Sequence, residues 1–337
     1  MSANIDPVLA QAATWLSQGH EVALATVTRT WGSAPRRAGS HMAVRVDGAF
    51  EGSVSGGCVE GAVAQAAVEV VSTGEAQMLE FGVTNERAWE VGLACGGSIA
   101  VRVEPVTPEA ANLLARLMEA QEEGRPVVLA TRLEDGAQAL LGAEASDPEW
   151  GGAEIGRCLR ADRALTIEDG VFLRPYNPPP EAVVVGAVHI AQALVPMTER
   201  AGFGVTVIDP RTAFATQDRF PGARLLAVWP EEALADLEFH SRTAVVALTH
   251  DPKIDDPVLK AAVASPAFYV GALGGRKTHQ QRRERLVSEG LGAAEVDRIR
   301  GPIGLPIGAR TPEEIAVAIL AEMVDALRNP DADPLSR

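Results

Sequence analysis

The chain has 337 residues, 47% of them hydrophobic, and at about 150 residues per domain this is material for two cores and excludes a disordered chain. Thirty basic against 45 acidic residues leave a net charge of −15, a field that repels phosphate polymers and anionic bilayers, so neither nucleic acid nor membrane is an expected partner. No apolar run approaches the roughly 20 residues of a bilayer span. Three cysteines, Cys58, Cys95 and Cys158, are too few and odd in number for a disulfide framework. Reduced thiols in a cytoplasmic protein are expected, and residues 1–18 read as an amphipathic opening without the pattern of an export signal.

Strands are predicted at 22–28, 42–46, 50–54, 76–81 and 99–104. Asp47-Gly48 between the second and third marks a hairpin, because a two-residue turn with positive φ favours that pair. One helix begins near Gly57 and carries Val59, Val63, Ala66 and Val70 at helical spacing. Another starts at Thr107-Pro108-Glu109, where Thr caps and Pro fits the first turn. Further strands fall at 127–131 and 171–174. Residues 1–176 therefore read as an N-terminal α+β domain. Pro178, Pro179 and Pro180 lack backbone donors, stiffen the chain and mark the boundary.

Beyond the prolines the pattern changes. Ala182-Val183-Val184-Val185 is an all-apolar strand of the kind buried on both faces of a parallel sheet. A helix at 189–201 follows, then strands at 204–208, near 225–228 and at 243–248. A helix at 256–264, a strand at 267–271, a helix at 276–289 and a closing helix at 311–327 complete the series. Thr311-Pro312-Glu313-Glu314 supplies the last helix with its cap, first-turn proline and acids. This alternation predicts an α/β fold, a Rossmann-like doubly wound parallel-sheet domain over 181–330.

The first strand of that domain ends at Gly186, and Asp209 closes the next strand 23 residues on. Such spacing is that of a dinucleotide fingerprint, in which glycines admit a pyrophosphate and the acid takes a ribose hydroxyl. Val188 occupies the position of the second glycine, so a β-branched side chain would project toward the pyrophosphate. The alternative reading of Gly186, Ala191 and Asp209 is topological: turn, packing and strand end. His189 follows the turn, and His250-Asp251 ends another strand at the edge where such sheets bind ligands; a histidine there can orient a ligand or move a proton. Gly271 to Gly275 leads into a basic helix, where Gly274 and Arg276 can hold a phosphate. A solvated helix face is the plain alternative.

In the first half, Ser53-Val54-Ser55-Gly56-Gly57-Cys58-Val59-Glu60 places a thiol at the mouth of a helix, whose positive end favours thiolate. Cys95-Gly96-Gly97 repeats the arrangement before a strand. Two thiolates suit a soft metal or a sulfur-bearing ligand, without the close pairs of a structural zinc site; two small buried cysteines are the alternative. Cys158 lacks that context and reads as inert. The loop Thr30 to Arg37 adds Ser33 and Arg36 as an anion grip or a surface turn. His20, His41, His240 and His279 read as surface or packing residues.

Together these strings resemble the XdhC/CoxI family, the accessory proteins of xanthine dehydrogenase and carbon monoxide dehydrogenase. The likeness runs through Gly32 to Arg36, Ser55 to Glu60, Cys95 to Gly97, Gly186 to Ala191, Asp209-Pro210-Arg211, Thr249 to Asp251, Gly271 to Gly274, and Pro302 to Ala309 leading into Thr311 to Ala316. It implies a chaperone that transiently binds molybdenum cofactor, as molybdopterin or its cytosine dinucleotide form. The partners implied are a cysteine desulfurase, which helps replace an oxo ligand by sulfur, and an apo molybdenum hydroxylase, into which the cofactor is inserted; a homodimer is implied too. Cofactor contacts then fall to Ser33, Arg36, Ser55, Gly57, Cys58, Glu60, Cys95, Gly186, His189, Asp209, Arg211, His250, Gly274 and Arg276, with Cys58 and Cys95 on the metal and no residue assigned a catalytic step. Val188 and Gly275 depart from the family pattern. The competing readings are an NAD(P)-dependent oxidoreductase using Asp209 and His250, and an adaptor that holds no cofactor.

Overall fold

The structure is a computed structural model that describes residues 5–34, 36–82 and 97–329. The chain divides into two compact units, Met1–Pro178 and Pro179–Arg337. The first opens with α1 (Pro7–Ser17), capped by the Asp6 carboxylate, which accepts from the Val8 N–H. Next come β1 (Val22–Trp31), β2 (His41–Arg45), β3 (Phe50–Gly52), α2 (Glu60–Thr73), β4 (Gln77–Phe81), β5 (Ser98–Pro105) and α3 (Pro108–Glu122). The unit ends with β6 (Val127–Arg132), β7 (Gln138–Gly142), α4 (Ala153–Ala161), β8 (Leu165–Thr166) and β9 (Val171–Tyr176).

Two antiparallel sheets result, in the orders β3-β2-β1-β5-β4 and β7-β6-β9-β8. A hairpin forms at Asp47-Gly48, but its turn is longer than the predicted two residues: Val46, Asp47 and Gly48 lie between Arg45 and Ala49, where the Arg45 N–H donates to the Ala49 carbonyl at 2.8 Å, and only Gly48 takes positive φ, +86. The Asp47 carboxylate accepts from the Ala49 N–H and from Arg45. Helix α2 buries Val63, Ala67 and Val70 against Ala25, Val101 and Val103 of the larger sheet. Helix α4 buries Ile155 and Cys158 against Val128 and Leu173 of the smaller one. His41 is a buried packing residue whose ring nitrogens meet the Thr26 hydroxyl at 2.9 Å and the Tyr176 hydroxyl at 2.7 Å.

The second unit contains β10 (Glu181–Val185), α5 (His189–Arg200), β11 (Gly204–Ile208), β12 (Arg224–Leu226), α6 (Pro230–Ala233), β13 (Thr243–Ala247) and α7 (Pro252–Val263). It continues with β14 (Tyr269–Ala272), α8 (Arg276–Ser288), α9 (Ala293–Val296), β15 (Ile299–Arg300) and α10 (Pro312–Arg328). All six strands are parallel, in the order β12-β11-β10-β13-β14-β15. This is the Rossmann-type doubly wound order, whose direction of winding reverses between β10 and β13. Both faces are covered: Ala182 and Val184 meet the cluster of α5 and α10, while Val183 and Val185 meet that of α7 and α8. The all-apolar strand follows from that double burial.

Helix α7 begins at Pro252, four residues before its predicted start. Asp251 caps it through the Lys253 N–H, and a proline in the first turn gives up no intrahelical bond. The unpredicted elements β7, α4, β8, α6, α9 and β15 are short or lie at sheet edges. Among the described residues no helix is long and apolar enough to cross a membrane.

Candidate functional site

The turn that starts α2 is organised around one carboxylate. Glu60 Oε1 accepts from the Ser53 hydroxyl at 2.6 Å and from the N–H groups of Val54, Ser55 and Gly56 at 3.2, 2.8 and 3.0 Å. Oε2 accepts from the Ser55 hydroxyl at 2.6 Å and from Gly57 and Val59 at 2.9 and 3.2 Å. Burial alone would raise this carboxyl, but the serine hydroxyls and backbone donors overcome it and hold the pKa at about 2. Gly56 and Gly57 take φ +86 and +119, left-handed values that a side chain would strain. The Ser55 oxygen also accepts from the N–H groups of Cys58 and Val59 at 3.0 Å each.

Glu60 is thus the internal anchor of the turn, and Cys58 is what the turn exposes. The positive end of α2, expected to act on the thiol, is occupied first by the Glu60 carboxylate. Cys158, in contrast, is buried, and desolvation with nearby Asp162 and Glu154 pushes its thiol up to about 12. That agrees with an inert residue. Ser33 is exposed, as is Arg36. Their loop meets the second glycine-rich string, since a Cβ at Gly97 would come within 2.9 Å of the Ser33 and Ala34 backbone. Cys95 lies outside the described residues, as does Pro35.

In the second unit the carboxyl edge of the parallel sheet gathers four turns. Gly186 (φ +104) packs so closely on the next turn that a Cβ would lie 2.5 Å from Thr249 Cγ2. Val188 caps α5 in an extended conformation and packs against the apolar core, half-buried; the expected projection toward a pyrophosphate is therefore reduced. His189 opens α5 and is exposed. His250 is exposed too, at φ +64. Asp255 secures its turn, accepting from the Thr249 hydroxyl at 2.7 Å and the His250 N–H at 3.0 Å. A Cβ at Gly274 would sit 3.7 Å from His250 Nδ1, which joins this turn to the start of α8. Gly275 begins α8 with no side-chain cap, and Arg276 and Lys277 are exposed there. Nearby N–H groups and cations make this the position in the unit best suited to an anion.

Asp209 has a different role from the one its spacing predicts. Its carboxylate is fully buried, and Oδ1 accepts from Arg211 N at 2.9 Å and Nε at 2.8 Å. Oδ2 accepts from Ala187 N at 2.8 Å and Arg211 Nη2 at 2.6 Å. A carboxylate offers about four acceptor sites, so none remains for a ribose diol. Burial would raise its pKa, but the Arg211 guanidinium and the backbone donors hold it below the usual range. Arg211, half-exposed, also stacks 4.4 Å over Phe214.

Several buried charges had no structural role in the sequence reading, among them Asp255, Glu322 and Arg282, the last read only as one cation of the basic helix. Arg282 donates to the Leu273 carbonyl at 3.0 Å and lies 3.8 Å from Asp255, beneath the turns around His250 and Gly274. Glu322 accepts from the Tyr269 hydroxyl at 2.6 Å and the Gly304 N–H at 2.8 Å, clamping the Pro302-Ile303-Gly304-Leu305 string onto α10. That string serves packing. Among the described residues, no group of three or more His, Cys, Asp or Glu is placed to hold a metal ion.

The architecture defines a class: a Rossmann-type unit whose ribose acid is consumed internally, in one chain with an α+β unit that presents a cysteine. Residues 15–82 match the XdhC and CoxI family, and residues 182–323 match the XdhC Rossmann domain. The chain belongs to the XdhC/CoxI family. It is 28% identical over 317 residues, 92% of this chain and 94% of the relative, to a probable xanthine dehydrogenase subunit of Bacillus subtilis. It is also 28% identical over 318 residues to the molybdenum cofactor insertion chaperone PaoD of Escherichia coli, covering 94% of this chain and 87% of the relative. A crystal structure described as a xanthine dehydrogenase from Bacillus halodurans shares the fold, with a TM-score of 0.69 at 24% identity over 97% of this chain and 98% of the other.

Proposed function

We propose that this protein is a molybdenum cofactor chaperone: it receives the molybdopterin-chelated metal as cargo, shelters it during sulfuration, and inserts it into an apo molybdenum hydroxylase of the xanthine or carbon monoxide dehydrogenase type. A cysteine desulfurase supplies the sulfur. The protein works in the cytoplasm as a homodimer and catalyses no step of its own. The observation that carries this reading is the Glu60-centred turn, which spends its backbone donors inward and holds the Cys58 thiol out to solvent. A molybdenum already chelated by two dithiolene sulfurs needs only one or two soft protein ligands. Cys58 supplies one thiolate and Cys95 a second. Within the second unit the start of α8, with Gly274, Arg276 and Lys277, suits a phosphate; within the first, Ser33 and Arg36 are exposed polar groups.

Nicotinamide chemistry has less support, because the Asp209 carboxylate is filled by Ala187 and Arg211. The test is protein isolated without oxygen from cells that make the cofactor, with bound pterin oxidised and read by fluorescence. Near-stoichiometric pterin is expected. Protein that retains no pterin, while NADPH saturably quenches its tryptophans, would overturn the proposal in favour of a nucleotide-dependent oxidoreductase.

A further inference from the structure

The first unit contains a cavity of about 240 Å³ that none of the cofactor residues lines. Leu9 of α1, Leu24 of β1, and Leu114 and Leu117 of α3 form its apolar wall. Arg102 and Glu104 of β5 and Gln138 of β7 form a polar end. Counted at about 30 Å³ of liquid volume per water, it has room for roughly eight heavy atoms.

The polar end is nearly, but not wholly, satisfied within the protein. Arg102, nine-tenths buried, donates through Nε to Glu104 at 2.9 Å and through Nη1 to the Leu133 carbonyl at 2.8 Å. Glu104 takes its other bond from Gln138 Nε2 at 2.9 Å. Burial pushes the Glu104 carboxyl up, against the pull of Arg102. Asp135, also on the wall, is engaged by Arg132 and the Ala137 N–H. Arg102 Nη2 has no hydrogen-bond partner among the described residues. It lies against Gly136, another wall residue, where a Cβ would come within 2.6 Å of it. The unspent group is therefore a charged donor beside an apolar chamber. Nη2 is not cut off from solvent, and an ionised acceptor makes a stronger bond to such a donor than water does.

We infer that this cavity is a binding site for a small carboxylate with an apolar tail, the carboxylate held by Arg102 Nη2 and the tail lying along the leucines of α1 and α3. The site is independent of the molybdenum reading, since no proposed cofactor contact lines it. Calorimetric titration of the full chain with hexanoate, hexan-1-ol and hexylamine tests it. Hexanoate is expected to saturate one site, hexan-1-ol to bind at least tenfold more weakly, and hexylamine not to bind. Ala110→Trp and, separately, Leu113→Phe place bulk in the cavity from half-buried positions on α3. Each is expected to weaken hexanoate binding at least tenfold and leave pterin retention unchanged. Absence of saturable hexanoate binding, equal binding of hexylamine, or hexanoate affinity unaltered in both variants would overturn the inference.

Discussion

The starts of α2 and α8 both follow glycine-rich turns, yet they are built oppositely. At α2 the chain supplies its own anion: Glu60 gathers seven donors from Ser53 to Val59, so the turn is a closed unit displaying a thiol. At α8 no side chain caps the first turn, and Arg276 and Lys277 add positive charge. A helix start filled from within fixes geometry, whereas one left open with cations beside it suits an anion from outside. The same glycine signature thus serves presentation in one unit and reception in the other, and the difference lies in whether a carboxylate follows within reach.

Removing the internal anion should break the comparison most severely. Glu60→Ala leaves buried donors unmet and is expected to cost about 2–4 kcal/mol in chemical denaturation. The sign of the pH effect follows from the lowered carboxyl: its contribution is present above the ordinary value of 4.5 and is lost as pH falls toward about 2. Glu60→Gln should remove that acid-dependent part of the stability profile; a profile unchanged by the substitution would exclude Glu60 as the anchor.

Site-resolved alkylation at pH 8 comes next in size. Cys58 is expected to react at least a hundredfold faster than Cys158, whose thiol is buried and raised to about 12. Comparable rates would exclude a buried, raised Cys158 thiol. In the second unit, Glu322 is an internal carboxylate of more modest reach. Tyr269→Phe removes one of its donors and should cost about 1.5–3 kcal/mol by denaturation, with no change in pterin retention. The smallest effect on stability belongs to the open helix start: Arg276→Ala is expected to shift it by less than about 0.5 kcal/mol while weakening inorganic phosphate binding several-fold. Undiminished phosphate binding would remove Arg276 from the site.

The sequence made the alternation of the second unit legible because its strands are all-apolar and its helices carry their caps in plain view, as at Thr311 and Glu314. The hairpin at Asp47-Gly48 was legible for the same local reason. Long-range engagement of charges was not. Glu60 read as a cofactor contact through the family resemblance, and nothing local shows that the chain before it folds back around its carboxylate. Spacing left Asp209 open between a ribose ligand and a strand end, and did not show that Arg211 two residues later becomes its bidentate partner. Arg282 read only as one cation of the basic helix, and Glu322 carries no motif at all. Their roles arise from tertiary proximity to Asp255 and to Tyr269 and Gly304. The Pro302 to Leu305 string, part of the family resemblance in the sequence, seats a loop on α10 through the Gly304 N–H and Glu322.

Anaerobic equilibrium binding of released molybdenum cofactor to the wild-type protein and to Cys58→Ala tests the central claim most directly, with the unfolding midpoint of both proteins measured alongside. Because Cys58 is exposed, the midpoint should not move. The cofactor should bind the wild type saturably and the variant at least tenfold more weakly. Equal affinity in the two proteins would show that the displayed thiol does not hold the metal.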